Sequence, residues 1–316
     1  MMNKSESIDR GRFLECMAWC GTGVVYGLTS AGLVGKPFGA IDIAAAADIP
    51  GATATFVQIS DTHIGFHGEA NADVTGTFQA AIDKINALPR RPAFVMHTGD
   101  LSHLSKPAEF DTVKQMLATI KTDAFFSVPG EHDVINDQGK MYFTMFQAGS
   151  PTPWYSFDNA GVHALALTNV LNITAGGILG RDQLDWAKRD LALQKPSTPI
   201  VVFAHIPLAA VYPDWGWTTD DYAELLTYLR RFESVTVLNG HIHQVFQKSD
   251  GKVQFYTATS TAFPQPKPGT RPKPGPLTVP AGELANYLGI RDVTVHQVDG
   301  QIAVADASLA SAVAAP

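Results

Sequence analysis

At 316 residues the chain is long enough for one large or two small domains with a sizeable buried core. Its 45% hydrophobic and 17% charged residues are ordinary globular material, not the composition of a disordered or fibrous chain. A net charge of −7 leaves no electrostatic footprint for nucleic acid or for an anionic membrane surface.

Both cysteines, Cys16 and Cys20, fall near the start, so disulfides do not support the rest of the chain and no thiolate chemistry is open to it. Residues 1–47 read as an export signal. Arg10, Gly11, Arg12, Phe13 and Leu14 resemble a twin-arginine signature, with Gly11 in place of the second arginine. No charge follows from Cys16 to Val34, and Ala45-Ala46-Ala47 before Asp48 offers a small-residue cleavage site. Gly21, Gly23, Gly27 and Gly32 dilute that run, and no stable membrane span is expected after processing. Export implies a periplasmic protein. The alternative, an N-terminal helix packed on the domain, goes with a cytoplasmic one.

From residue 48 onward apolar patterning alternates between strands and helices. Thr55-Phe56-Val57-Gln58-Ile59 is a strand-like run that stops at Asp61 and His63. On continued extended backbone those two side chains leave on the same face. Residues 74–88 put Phe78, Ala81, Ile82, Ile85 and Leu88 on one helical face, closed by Pro89 and Pro92. The strand at 93–97 then delivers Asp100. A second helix at 107–120 carries Phe110, Val113, Met116, Leu117 and Ile120, and the strand at 124–128 delivers Glu131 and His132. Strands at 154–157 and 162–167 flank the hairpin turn Asp158-Asn159-Ala160-Gly161. A helix at 181–194, carrying Leu184, Trp186, Leu191 and Leu193, precedes the strand at 200–204 that ends on His205. The next helix, 219–232, has Thr218 or Thr219 as its N-cap. The strand at 235–239 delivers His241 and His243. Two hairpins follow, turning at Ser249-Asp250-Gly251 and at Asp299-Gly300. Seven prolines between 264 and 280 predict a polyproline-like insertion. Strand–helix alternation builds a mostly parallel sheet, in one domain spanning 48–316.

One imidazole near a strand end is ordinarily a satisfied polar residue. Here Asp61, His63, Asp100, Glu131, His205, His241 and His243 arrive at five strand ends, the edge where open α/β sheets build their sites. Asp-x-His, Gly-Asp, Gly-x-His-Asp, a lone His and Gly-His-x-His, in that order, resemble the calcineurin-like metallophosphoesterases over about residues 54–257. The departure is Glu131, where that family usually carries Asn.

The resemblance implies an α/β fold, a four-layer αββα sandwich of two mixed β-sheets flanked by helices. It implies two metal ions bridged by Asp100, one completed by Asp61, His63 and His243, the other by Glu131, His205 and His241. A hydroxide between the metals is the implied nucleophile, and a small phosphorylated substrate, a phosphomonoester or phosphodiester, the implied partner. Imidazole mixed with carboxylate suits Fe with Zn, Mn or a second Fe. By the same resemblance His132 is a non-ligand catalytic histidine, and Asp133 would orient it.

Tyr212, Trp215 and Trp217 lie in a loop between two ligand positions. They suggest a substrate wall for a base or aryl group, or else a loop anchored to the core. His97, inside a strand, reads as a core histidine. His103 either bonds a ligand or is a plain loop residue. The competing function is a non-catalytic metal-binding protein whose site Glu131 has altered.

Overall fold

A computed structural model describes residues 24–29, 32–37, 52–296 and 300–311. The twin-arginine-like residues, both cysteines and Ala45-Ala46-Ala47 lie outside the described residues. Strands β1 (Val24–Thr29) and β2 (Gly32–Pro37) pair antiparallel, so the alternative of a packed helix does not hold there. A run rich in glycine and valine is poor helix material. Among the described residues no helix is long and apolar enough to cross a membrane.

Then come β3 (Ala52–Ile59), α1 (Val74–Asn86), β4 (Val95–His97), α2 (Pro107–Leu117), β5 (Phe125–Ser127) and α3 (Lys140–Phe146). The chain continues through β6 (Tyr155–Asn159), β7 (Val162–Ala166), α4 (Arg181–Ala192), β8 (Ile200–Phe203), α5 (Tyr222–Leu229) and β9 (Val235–Asn239). It closes with β10 (Phe246–Asp250), β11 (Val253–Thr257), the one-turn α6 (Leu284–Tyr287), β12 (Gly289–His296) and β13 (Ile302–Ser308).

Two mixed sheets face one another, ordered β13-β12-β3-β4-β5 and β10-β11-β9-β8-β7-β6. Side-chain alternation sorts the core into layers. Phe56, Phe94 and Met96 of the first sheet meet Ala164, Val201, Phe203 and Leu238 of the second between the sheets. The opposite faces bury Val57, Ile59 and Val95 against Phe78, Ile82, Phe110 and Val113 of α1 and α2. Ile200, Val202, Val235 and Val237 pack on Leu184, Leu191, Leu225 and Leu229 of α4 and α5. The result is the four-layer αββα sandwich.

Parallel pairing of β3, β4 and β5, and of β7, β8, β9 and β11, sends the successive loops out at the same sheet edge. Below that edge the fully buried Arg291 of β12 joins the sheets: it donates to Asp306 (2.8 and 2.9 Å), to the Thr257 carbonyl (2.8 Å) and to Gln58 Oε1 (3.3 Å). Gln58 in turn donates to Thr98 Oγ1 at 2.9 Å and to the Asn239 carbonyl at 3.1 Å.

The structure also differs from expectation at places away from the site. Helix α3 carried no recognised pattern; it is pinned by Tyr142, whose hydroxyl meets Ser127 Oγ at 2.6 Å. Leu193 follows the last turn of α4 and is 84% exposed, so it is not part of the buried stripe. Helix α5 starts later than expected, because Thr219 is buried and its hydroxyl accepts from Asn169 at 2.8 Å instead of capping a helix. Residues 264–280 contain neither helix nor strand, as their prolines require.

Candidate metal centre

Strand β3 ends at Ile59, and Asp61 and His63 do not continue it. Both have left-handed backbone, at φ 54° and 42°, as do Asp100 (56°), His241 (70°) and His243 (54°). The expectation of extended backbone at Asp61 and His63 is therefore wrong. Sharp turns, not strand alternation, aim these side chains. Such conformations cost energy in non-glycine residues and persist where surrounding bonds over-determine them. Here Asp61, His63 and Ile64 donate their N–H groups to the carbonyls of Gly99, Asp100 and Leu101 at 2.9–3.0 Å, zipping two strand-end loops together.

The motif glycines are required sterically. A Cβ on Gly130 would lie 2.1 Å from Asp100 Oδ1, and one on Gly99, at φ +99°, would lie 2.4 Å from His205 Nδ1. No side chain fits where the loops approach so closely.

All seven expected ligand positions converge. His243 Nε2 is 3.3 Å from both Asp61 Oδ1 and His63 Nε2. Glu131 Oε1 is 2.9 Å from His241 Nδ1, and Oε2 is 2.9 Å from His205 Nε2. Between these sets sits Asp100, whose Oδ2 is 3.5 Å from His63 Nε2 and 3.4 Å from His205 Nε2. Outer partners set the imidazoles: His205 Nδ1 donates to the Thr98 carbonyl at 2.7 Å and His243 Nδ1 to that of Phe263 at 2.5 Å, turning each Nε2 inward.

The donor set fits cations. Glu131 Oε2, His205 Nε2 and His241 Nδ1 are buried and, although they approach one another to 2.9 Å in the pairs above, none makes a well-formed hydrogen bond, a costly arrangement unless an ion fills the space between them. Electrostatics agree. Burial pushes the Asp61 carboxyl up, but His243, His205 and Ser60 outweigh it and pull it down to about 2. Glu131 is likewise held well below its ordinary range, burial being overcome by His241 and His205.

His132 stands beside this cluster, its Nδ1 donating to the His103 carbonyl at 2.7 Å. Burial alone would lower its pKa, but Asp100, Glu131 and that carbonyl raise it above the ordinary value. The expected orienting role of Asp133 does not hold. Its carboxylate accepts from the N–H groups of Leu101 (3.1 Å), Ser102 (2.8 Å) and Gly130 (2.9 Å) and from Ser102 Oγ (2.9 Å), so it braces the two loops that carry Asp100 and Glu131. Sequence adjacency had suggested a contact that the 3₁₀ turn Glu131–Asp133 points elsewhere.

Trp217 does not form part of the expected substrate wall. It is fully buried with Val211, Ile242 and Phe246, under the loop that presents His241 and His243, and cannot line a substrate wall. Trp215 is partly exposed and packs edge-on against Trp217 and Tyr212. His97 is the core histidine expected: it bonds Thr62 Oγ1 and accepts from the Gly99 N–H, both at 3.2 Å, and burial lowers its pKa to about 3. His103 bonds His63 Nδ1 at 3.3 Å, so it touches a candidate ligand.

Sequence reasoning missed the segment after β11. Ser260 Oγ donates to the Asp61 carbonyl at 2.7 Å, Gln265 Nε2 to that of His241 at 2.9 Å, and the Phe263 ring packs on His63 and His243. A small serine and a lone aromatic before a proline carry no periodic signal that could have marked them.

Residues 54–245 match the family described as calcineurin-like phosphoesterase. Similar curated proteins include a 3',5'-cyclic-nucleotide phosphodiesterase from Nostoc sp., 24% identical over 66% of this chain and 79% of that protein. Another is the 3',5'-cyclic adenosine monophosphate phosphodiesterase of Escherichia coli, 26% identical over 60% of this chain and 69% of that one. Among solved structures, a dimetal phosphatase from Danio rerio shares the fold with a TM-score of 0.58 at 15% identity, covering 82% of this chain and 100% of its own.

Proposed function

The chain belongs to the calcineurin-like phosphoesterase family, and from that premise we propose that it hydrolyses a small phosphodiester at a centre built by Asp61, His63, Asp100, Glu131, His205, His241 and His243. The observation that carries this reading is Asp100 Oδ2, poised 3.5 Å from His63 and 3.4 Å from His205, so that one carboxylate oxygen faces both donor sets. Two cations held there would supply an activated water and positive charge for a phosphoryl group. Imidazole with carboxylate suits iron paired with zinc, manganese or a second iron.

The other residues divide the work. His132, with Nδ1 engaged by His103, presents Nε2 as its remaining nitrogen and is the proposed proton donor to the leaving oxygen. Trp215 is the proposed aromatic contact for the leaving group. A diester rather than a monoester is favoured by the names of the cyclic-nucleotide relatives. Export is proposed from the twin-arginine-like residues and the Ala45-Ala46-Ala47 site, so protein recovered from the cell envelope should begin near Asp48.

Turnover of bis-p-nitrophenyl phosphate, p-nitrophenyl phosphate and 3',5'-cyclic AMP by protein of measured metal content tests the reading. Activity that is lost on chelation and restored by metal supports it. Metal-replete protein inert toward all three substrates would favour the non-catalytic metal-binding protein instead.

A further inference from the structure

We infer that Ser105 is a positioning residue for His132: from a turn in left-handed backbone it holds the main chain of His132 while its neighbour His103 holds the ring, and together they set the direction of Nε2. The inference deepens the reading of His132 as proton donor. It rests on that reading for its effect on turnover, but not for its effect on the ring.

Apart from Nε2, every hydrogen-bonding atom of His132 is engaged. Its N–H donates to Asp100 Oδ1 at 2.9 Å, its Nδ1 donates to the His103 carbonyl at 2.7 Å, and its own carbonyl accepts from Ser105 Oγ at 2.6 Å. Two of those bonds come from residues 103–105, so one turn grips ring and main chain at once. Ser102 Oγ also faces the His132 carbonyl, at 3.4 Å, but its nearer partner is Asp133 at 2.9 Å. Ser105 Oγ in addition accepts the Ile135 N–H at 3.2 Å, which fixes the chain where it leaves the 3₁₀ turn Glu131–Asp133.

Ser105 is buried and sits at φ 51°, a conformation that costs a non-glycine residue energy and persists where the surroundings over-determine it. They do so from both sides. The buried Glu109 carboxylate accepts the N–H groups of Leu104 (2.8 Å) and Lys106 (3.3 Å), the residues flanking Ser105. Asn136 Nδ2 donates to the carbonyls of Leu104 (2.6 Å) and Ser105 (3.4 Å). Glycine would adopt this backbone without strain, so the turn alone does not call for serine. What serine adds is the hydroxyl, and its bonds end on His132 and Ile135. A general acid works only within hydrogen-bond reach of the atom it protonates, so a loosened ring loses rate even where metal and substrate still bind.

Two substitutions in the full chain separate the hydroxyl from the backbone: Ser105→Ala removes the hydroxyl and keeps the strain, whereas Ser105→Gly removes both. In Zn(II)-loaded protein the His132 Nδ1–H, assigned by its absence from His132→Gln, should give a slowly exchanging downfield proton resonance in wild type and lose it in both variants. Both should also lower kcat for diphenyl phosphate by about 10–100-fold, with KM and metal content unchanged. For bis-p-nitrophenyl phosphate, whose leaving group needs little protonation, kcat should change by less than about 3-fold. A serine that served only the turn would give a different result, because the unstrained glycine would match wild type in resonance and in kcat. Wild-type behaviour of Ser105→Gly in either readout overturns the inference, as does an equal loss on the two esters or a loss of metal. If Ser105→Ala fails to fold, Ser105→Gly decides alone. A wild type inert toward both esters sinks the proposed function instead, and the resonance then decides: its loss in Ser105→Gly supports the inference, while its persistence there, or its absence from wild type, overturns it.

Discussion

The Nδ1 of His132 lies 2.7 Å from the carbonyl oxygen of His103, and the two imidazoles stack with centroids 4.9 Å apart. That bond fixes the ring by a backbone atom, independent of the cluster it faces. His132→Ala should therefore keep its metal while kcat falls by about 10²–10⁴-fold, the range for a lost general acid. The loss should shrink for esters with very good leaving groups, which need little protonation. Metal analysis beside steady-state kinetics checks this, and folded protein that has lost metal would make His132 a ligand.

Asp133 should behave differently from a catalytic partner. Both of its oxygens accept backbone N–H groups, so the Asp133→Asn amide meets a donor whichever way it turns. Burial and Asp100 already push its carboxyl up to about 7, against those donors. Placing donor against donor should cost about 1–3 kcal/mol and show as a lower Tm. Unchanged stability with a shifted pH–rate profile would restore a direct role toward His132.

Much of this site was legible in the sequence because its seven candidate ligands follow strands, and parallel strands share an outgoing edge. Their residue types and order survive whatever the backbone does locally. The local path did not come through: extended geometry was expected at Asp61 and His63, where φ is 54° and 42°, since left-handed turns in non-glycine residues leave no pattern. Aromatic residues were ambiguous for a different reason. Trp215 and Trp217 are two positions apart in one loop, yet one is partly exposed and the other fully buried, and only the packing of Val211, Ile242 and Phe246 distinguishes them.

That difference can be measured. Trp217→Ala removes a fully buried indole and should cost about 3–5 kcal/mol, read as a drop in Tm, with metal affinity falling because Ile242 lies between His241 and His243. Trp215→Ala should leave Tm nearly unchanged and raise KM for aryl esters. Equal stability losses for the two variants would count against this division.

His163 of β7 gives a pH dependence away from the site. It is buried between Asp158 (2.8 Å) and Asp190 (2.7 Å). Burial opposes its charge, but the bonds to Asp190 and Asp158 raise its pKa above 6.5. Burial likewise opposes the Asp190 charge, and His163 outweighs it to bring that pKa below 3.8. The raised histidine contributes stability fully present below 6.5 and lost as pH rises through its folded value. The depressed aspartate contributes stability present above 3.8 and lost as pH falls through its own. Their window therefore lies between those limits, and His163→Asn should destabilise more near pH ~5.5 than near pH ~8.5. Denaturant midpoints of both proteins at the two pH values test it; a larger loss at the alkaline value would reverse the assignment.

Phe263 tests whether the chain beyond the family match at residue 245 has become part of the centre. Its ring lies 4.9 Å from His63 and 4.8 Å from His243, while its carbonyl accepts from His243 Nδ1 at 2.5 Å. Phe263→Ala would confuse two effects, because the cavity alone should cost about 3–5 kcal/mol. Phe263→Leu separates them: it keeps most of the volume, should cost less than about 1.5 kcal/mol, and removes the flat face that holds the two imidazoles. The backbone carbonyl remains in either variant, so only ring packing is under test. If that packing positions the ligands, Phe263→Leu should weaken metal binding in the half made by Asp61, His63 and His243 by about 10–100-fold, the usual effect of losing an outer partner. Binding in the half made by Glu131, His205 and His241 should stay at its wild-type value, since no ring contact joins Phe263 to His205 or His241 among the described residues. Equal weakening of both halves would mean a general loosening of the fold, and no weakening would reduce Phe263 to core filler.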